Sequence, residues 1–472
     1  MIAQRSRAAA LSAKLLACLL ALSLFAQPAS AMSILRDAET EAFLQDLARP
    51  LVEVSELESD NVEIVLINDP SINAFVAGGQ VIYLHTGLID AAEKANEVQG
   101  VIAHELGHIT GGHIVRQSQG MEAASNISIL SLLAGIGAAL AGSPDAAMAA
   151  IMAGQRAALG KFLAYSRVEE ASADAAGARY LSDAGISGRG SLSFFKRLQN
   201  QEFRYGYSQE DEATFTRTHP LSGDRIALLR DTYERDPAWT ASDDAQMQTR
   251  FERIKAKLAG YIDEPKRTLA AFPESDTSVS ARYARAYAYH KSARVEAALA
   301  ETEALIALEP DDPYFRELQG QVLLESGRPE EALDALRKAT DLTNSQPLIA
   351  ALFGHALIAT EDPAHYEEAE KVLRASVARD RYNPFAWRQL GVVYAARGDM
   401  ARAQLATAEQ QVMSRQYALA LRSATSAEGQ LPEGTPDHLR AQDIAMQARA
   451  LLERQIEQAD GSRRVGFTVS AR

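Results

Sequence analysis

Apolar residues recur with helical spacing most regularly over 96–116, where NEVQGVIAHELGHITGGHIVR predicts one amphipathic helix. Residues 37–58 show a similar period and predict a second helix. Short runs rich in alternating apolar residues predict strands at 62–67, 74–77 and 80–85. The first half of the chain therefore predicts an α+β domain with a small sheet, and we assign residues 32–262 to it.

A repeated pattern of small residues fills the second half. Equivalent glycines stand at Gly320, Gly354 and Gly391, which are 34 and then 37 residues apart. A period of 34 residues with small residues at fixed places is typical of tetratricopeptide repeats, whose helix pairs stack into an α-solenoid. We predict a linker at 263–278, repeats with a capping region at 279–455 and a disordered tail at 456–472. The whole chain is then mostly α.

Residues 127–153 form an unusually apolar stretch, rich in glycine and alanine and interrupted by Ser143-Pro144-Asp145. Each half is shorter than the roughly 20 residues that span a bilayer. We predict a helical hairpin, either buried over a groove of the protein or touching a membrane surface.

The N-terminal segment has the pattern of an export signal. Three basic residues precede an apolar run over 15–25, and the sequence ends in a small-residue cleavage pattern at Ala31. We expect residues 1–31 to be a signal peptide cleaved after Ala31, which predicts a periplasmic protein. Cys18, the only cysteine, lies inside the apolar run, so a lipid-anchored reading is disfavoured.

The net charge of the chain argues against one class of function, nucleic-acid binding. The formal charge is −14, and it becomes −17 without residues 1–31, which carry three cations and no anion. A strongly acidic chain is not typical of nucleic-acid-binding proteins.

A chain exported without disulfides must be stabilised by packing.

The candidate chemistry lies in HELGH at 104–108. His104 and His108 are four residues apart, so on a helix they share a face and can bind one metal ion. Zinc suits two imidazoles and leaves a position open for catalysis. Glu105, beside the first histidine, can take a proton from the attacking water as a general base.

His113 competes with a carboxylate of a second helix as the third ligand. His113 is one position away from the spacing that would aim a third histidine at the metal, so packing around the site is its expected role. Glu170 and Asp174 lie four apart on a second predicted helix and share a face. One carboxylate could bind the metal while the other orients a ligand histidine.

The motifs together resemble a known family. NAFVAGG at 73–79, HELGH at 104–108, SRVEEASAD at 166–174 and THPLSGDR at 218–225 are similar to four signatures of the metallopeptidase family that includes the CAAX prenyl endopeptidases. The resemblance implies a zincin-like domain with one zinc ion bound by His104, His108 and Glu170. It also implies that the strand at 74–77 takes substrate by strand addition.

Further roles rest mainly on this resemblance. His219, held extended before Pro220, could reach the fourth zinc position or a substrate oxyanion. Arg225 could orient neighbours of His219 or a substrate carbonyl, and Asp174 could orient a ligand.

The resemblance predicts an exported zinc endopeptidase that degrades misassembled outer-membrane proteins. Its repeat array would dock at the outer-membrane barrel assembly machinery. The alternative is a periplasmic chaperone or assembly scaffold whose zinc site is structural or held shut. Glu105 distinguishes the two, because a structural site does not need a general base.

Overall fold

The computed structural model describes residues 33–58, 61–140, 144–205, 219 and 223–469. The predicted signal segment at 1–31 lies outside the described residues, as does most of the polar loop that surrounds His219.

A four-stranded sheet stands near the start of the chain, in the spatial order β1-β2-β4-β3. Its strands are β1 (Ser33–Leu35), β2 (Glu63–Asn68), β3 (Ala74–Ala77) and β4 (Val81–His85). β2 and β4 are parallel, whereas the other two pairs are antiparallel. β3 is therefore an edge strand, and the three strands expected from alternation agree with β2–β4 to within one residue.

The described part of the first domain contains eight helices besides this sheet. They are α1 (Ala38–Glu53), α2 (Thr86–Ala91), α3 (Ala95–Thr110), α4 (His113–Leu140), α5 (Pro144–Asp183), α6 (Arg189–Tyr205), α7 (Gly223–Glu234) and α8 (Ala245–Ile262). α3 lies at the centre, with Val101, Ile102, Ala103 and Leu106 fully buried. α5 and α6 cover it on one side and the sheet on another.

The single helix predicted over 96–116 is wrong, because α3 ends at Thr110 and α4 begins at His113. Gly111 and Gly112 separate them, and Gly112 has φ +61, a backbone conformation that favours glycine and ends helices. The turn brings His113 back against the end of α3.

The predicted hairpin at 127–153 is formed by α4 and α5, which pack along one another. Small residues make this contact: a β-carbon added at Gly154 would lie 1.9 Å from the Ser131 β-carbon. Large apolar side chains such as Ile129, Leu130 and Leu133 are exposed instead. Within the described residues, no helix combines the length and hydropathy needed to cross a membrane.

The second half is a stack of antiparallel helices, which confirms the predicted α-solenoid. After α9 (Pro265–Ala271) come α10 (Val279–Lys291), α11 (Val295–Leu308), α12 (Pro313–Glu325), α13 (Pro329–Leu342), α14 (Pro347–Ala359), α15 (Tyr366–Arg379), α16 (Pro384–Ala396), α17 (Met400–Met413), α18 (Tyr417–Glu428) and α19 (Pro436–Val469). Two boundaries differ from expectation. Pro265 starts a short helix inside the predicted linker, and α19 continues to Val469 where a disordered tail was predicted from 456.

Buried charges join the two halves. Lys257 of α8 is 3% exposed. Its ammonium lies 2.5 Å from Asp37 Oδ2 and 3.2 Å from Glu39 Oε2 at the start of α1. Tyr283 of the array donates a hydrogen bond to the same Glu39 carboxylate at 2.7 Å. The N-terminus of α1 is thereby fixed between α8 and the first repeat.

We expect Lys257→Met to destabilise the protein by about 3–5 kcal/mol, because it leaves the Asp37 carboxylate without its cation and Glu39 with only Arg253 as an ion-pair partner. The exposed Lys266→Met is the matched control and should change stability by less than about 0.5 kcal/mol. The denaturant midpoint of the full chain measures both. Equal midpoints for the two variants would show that this ion cluster contributes nothing to stability.

Candidate metal centre

Close contact between α3 and α5 brings the predicted ligands together. A β-carbon added at Gly107 would lie 2.6 Å from the Ala173 carbonyl oxygen, and one at Gly177 would lie 3.0 Å from that of Ala103. Only glycine at these two positions lets the helix backbones approach so closely. The face of α5 that carries Glu170 therefore lies directly on the HELGH turn of α3.

Four buried side chains form a cluster of potential metal ligands: His104, His108, Glu170 and His219. His104 Nε2 lies 3.1 Å from His108 Nε2 and 3.2 Å from His219 Nδ1. Glu170 oxygens lie 3.4 Å from each of the first two nitrogens and 3.0 Å from His219 Nδ1. Zinc–nitrogen bonds of about 2.0–2.1 Å in a tetrahedron separate ligand atoms by about 3.3 Å, so the cluster fits a zinc ion.

Glu105 also faces this cluster and is 1% exposed. Neither of its carboxylate oxygens has a hydrogen-bond partner among the described residues. Oε1 lies 3.6 Å from His219 Nε2. A buried carboxylate without hydrogen bonds is costly, so this geometry fits a group that exchanges protons with a bound water or substrate.

Asp174 and Arg225 contact the residues of the cluster on the side away from the proposed metal position. Asp174 Oδ1 lies 3.0 Å from His104 Nδ1, the ring nitrogen that faces away from the other ligands. Arg225 of α7 donates to Asp174 at 2.8 Å and lies 2.8 Å from Glu170 Oε2. Ligand histidines are commonly oriented by such a carboxylate, which fixes the tautomer that leaves Nε2 free for the metal.

His113 does not join the ligands, as its spacing predicted. Its Nδ1 lies 2.8 Å from Nδ1 of His108, so it orients that ring in the way that Asp174 orients His104. Burial, together with the neighbouring His108, lowers the pKa of His113 to about 4. The His113 ring is therefore neutral at pH 7.

The electrostatics favour a cation at the cluster. Burial opposes ionisation of Glu170, but the charge and hydrogen bonds of the three histidines outweigh it and lower its pKa. Burial opposes ionisation of Asp174 as well, and Arg225 and His104 outweigh it. Burial lowers the pKa of His104, yet its bonds to Asp174 and Glu170 prevail and raise it to about 9. Two ionised carboxylates thus lie in a water-poor site. Arg225 pairs with both of them, and a metal bound by Glu170 would add a second positive charge.

Sequence reasoning missed Phe195 of α6. Its ring meets the His104 ring edge to face at 5.9 Å, and the Arg225 guanidinium lies 5.8 Å from its centre. The aromatic ring holds both polar side chains in place and excludes water from behind the cluster. No motif marks Phe195, because its role depends on the packing of α6 against α3.

Asp174→Asn is expected to weaken zinc affinity by about 10–100-fold, because the amide no longer fixes the tautomer of His104. Competition with a chelating dye measures the affinity. Asp183→Asn, an exposed change near the end of the same helix, serves as the control. Unchanged affinity in Asp174→Asn would contradict the orienting role.

Comparison with known proteins agrees with this geometry. Residues 36–233 match the sequence profile of peptidase family M48, and residues 291–376 match that of subunit 3 of the anaphase-promoting complex, or cyclosome. The first match spans all of the candidate ligands, and together with the relatives below it confirms the metallopeptidase resemblance.

Three relatives illustrate the similarity. The Beta-barrel assembly-enhancing protease of Escherichia coli (strain K12) is 24% identical over 433 residues, which are 89% of this chain and 85% of the relative. The protein of that name from Yersinia pestis is 24% identical over 82% of this chain and 79% of its own length. Metalloprotease LoiP of Escherichia coli (strain K12) is 29% identical over 37% of this chain and 64% of its own length. The first two extend through the repeat array, whereas the third covers a much shorter part of the chain.

Proposed function

We propose that the chain is a zinc-dependent endopeptidase of the cell envelope that degrades misfolded or misassembled proteins, because residues 36–233 match peptidase family M48 and the relatives described above are proteases. The observation that carries the proposal is the buried Glu105 carboxylate beside the four-residue cluster, which accepts no hydrogen bond from any residue that the structure describes. The periplasm is the proposed location, since the segment at 1–31 has the composition of a signal peptide.

His104, His108 and Glu170 would hold the zinc ion. The ion supplies a Lewis acid that polarises the peptide carbonyl and lowers the pKa of water from about 15.7 towards about 7. Glu105 takes the proton of the attacking water and then gives it to the departing amine nitrogen. Asp174 and Arg225 keep His104 and Glu170 in position, and Phe195 excludes water from the back of the site.

Edge strand β3 offers a way to present substrate. One side of Ala74–Ala77 pairs with β4, and no strand pairs with its other side among the described residues. α3, which carries the HELGH residues, packs against β3. An extended substrate segment could add to this edge through main-chain hydrogen bonds, so the enzyme would select unfolded segments more than particular side chains.

The array and the hairpin supply the proposed contacts outside the site. Stacked helix pairs form extended protein-binding surfaces, and two relatives are described as beta-barrel assembly-enhancing proteases. We therefore include misassembled outer-membrane proteins as substrates and the barrel assembly machinery as partner of the array. The exposed Ile129, Leu130 and Leu133 support contact of 127–153 with a membrane surface.

Metal removal tests the proposal directly. Cleavage of an unfolded casein-like substrate should fall to background after dialysis against a chelator and return when one equivalent of zinc is added. Magnesium, which prefers oxygen ligands in octahedral geometry, should not restore it. Full activity in protein shown to contain no metal would overturn the assignment.

One observation favours the second candidate, a chaperone or scaffold whose site is held shut. His219 completes a set of four protein side chains, and four-ligand zinc sites are typically structural. In that case zinc would be bound tightly, no peptide would be cleaved, and replacing Glu105 would leave function in the cell unchanged.

A further inference from the structure

The structure assigns a second binding site to the repeat array. We propose that a pocket between α15, α16, α17 and α19 binds an acidic, partly apolar segment of an unfolded polypeptide, with Arg374 and Arg381 pairing its side-chain carboxylates over an apolar floor. This proposal concerns the array alone, and its test does not depend on whether the metal cluster cleaves peptides.

The pocket has a cavity volume of about 410 Å³. Its floor is formed by Val377, Trp387, Leu390, Tyr394 and Leu405. Trp387 is fixed in place, because its indole nitrogen donates a hydrogen bond to the Arg381 carbonyl oxygen at 2.9 Å. A rigid aromatic and aliphatic floor can bury the apolar side chains of one or two residues.

The rim carries four arginines and two carboxylates, in a chain whose formal charge is −14. Both carboxylates are already engaged. Arg440 makes a bidentate pair with the buried Glu409 at 2.6 and 2.8 Å. Arg402 lies 2.7 Å from Asp437. These two ion pairs form within the protein, so their charges are not available to a ligand and the side chains serve as part of the pocket lining.

The other two guanidinium groups are available. No carboxylate lies within 4.0 Å of Arg381 among the described residues, and Arg374 approaches only Glu370, at 3.7 Å. The side chain of Arg374 is 64% exposed. One arginine without a carboxylate partner and one with only a loose, exposed pair, both beside an apolar floor, match a ligand that has carboxylates next to apolar side chains.

The same features argue against other anions. A nucleic acid is bound mainly through many phosphate contacts, and this pocket offers only two arginines that are not already closely paired. Inorganic phosphate would gain nothing from the apolar floor. A guanidinium binds a carboxylate through two parallel hydrogen bonds, which gives a peptide both affinity and orientation.

Trp387 makes the test direct, since the chain has only two tryptophans and the other, Trp239, lies in the first domain. We would titrate full-length Trp239→Phe protein with an octapeptide of alternating glutamate and leucine, acetylated and amidated at its ends. All proteins would carry Glu105→Gln so that the peptide is not cut. We expect a saturable change in Trp387 emission and at least about 10-fold weaker binding of the same peptide with glutamine in place of glutamate.

Arg374→Gln/Arg381→Gln should weaken binding of the glutamate peptide by about 10-fold or more. Arg388→Gln, an exposed arginine of α16 that does not line the pocket, should change it by less than about twofold. Circular dichroism would verify that each variant keeps its helices. Three results would each overturn the proposal: equal affinity for both peptides, an equal effect of Arg388→Gln, or equally tight binding of a further glutamine peptide whose C-terminus is left unamidated.

Discussion

Glu105→Gln is expected to lower the rate of peptide-bond cleavage by about 10²–10⁴-fold while the purified protein keeps its zinc. The side chain lies within the cluster but is not one of the four potential ligands. Glutamine keeps the size of glutamate and cannot accept the proton of the attacking water. The change therefore removes one chemical step without removing the metal.

Zinc content by mass spectrometry and cleavage of a casein-like substrate should be measured on the same preparation. Glu93→Gln, an exposed residue just before α3, is the matched control and should leave both quantities unchanged. Near-normal cleavage by Glu105→Gln would refute the general-base role. Loss of zinc together with activity would instead identify Glu105 as a ligand.

His219→Ala is expected to raise cleavage, including cleavage of the chain by itself, if His219 closes the site. Its Nδ1 lies 3.0 Å from Glu170 and 3.2 Å from His104 Nε2, where a fourth ligand would stand. If the open form makes up about 1–10% of molecules, abolishing closure raises the rate by about 10–100-fold. If His219 instead donates to the substrate oxyanion, the same change lowers the rate by about 10²–10³-fold with zinc retained.

The sign of the effect decides between these roles. Self-cleavage of His219→Ala should be compared with that of His219→Ala/Glu105→Gln, because any gain must vanish when the general base is absent. His290→Ala, a substitution in the array, controls for loss of a histidine as such. A slower, zinc-replete His219→Ala would exclude gating.

Part of the candidate cluster was predictable from sequence because helical spacing determines which side chains share a face. The 3.6-residue period pairs His104 with His108 and Glu170 with Asp174. The choice of Glu170 as third ligand came from the family resemblance and stays a prediction, and the period alone gives no reason for the two helices to meet. The neighbouring glycines Gly107 and Gly177 provide that reason in the structure. The repeat array was also predictable from sequence, since the glycines recur at a period typical of such repeats.

Contacts that depend on tertiary packing were not accessible. The missed end of the first helix is a different case, because the pair Gly111-Gly112 is a local helix-ending signal in the sequence and the positive φ of Gly112 overrides the apolar period. Phe195 reaches His104 only through the packing of α6. The charge cluster around Lys257 joins residues more than two hundred positions apart, and no local pattern marks such a pairing.

That cluster also limits how such a protein can be recombined. Domains on a flexible linker can be exchanged with little regard to their neighbours, but here α8 packs against α10 of the first repeat, and Glu39 of α1 accepts a hydrogen bond from Tyr283 of the same helix. An array taken from another protein would need side chains that pair with Asp37, Glu39 and Lys257 of the first domain. Without them, buried ions would be left unpaired at the interface. We therefore expect chimeric proteins to fold only when they are cut within the array, after α10, and not at the sequence that resembles a linker.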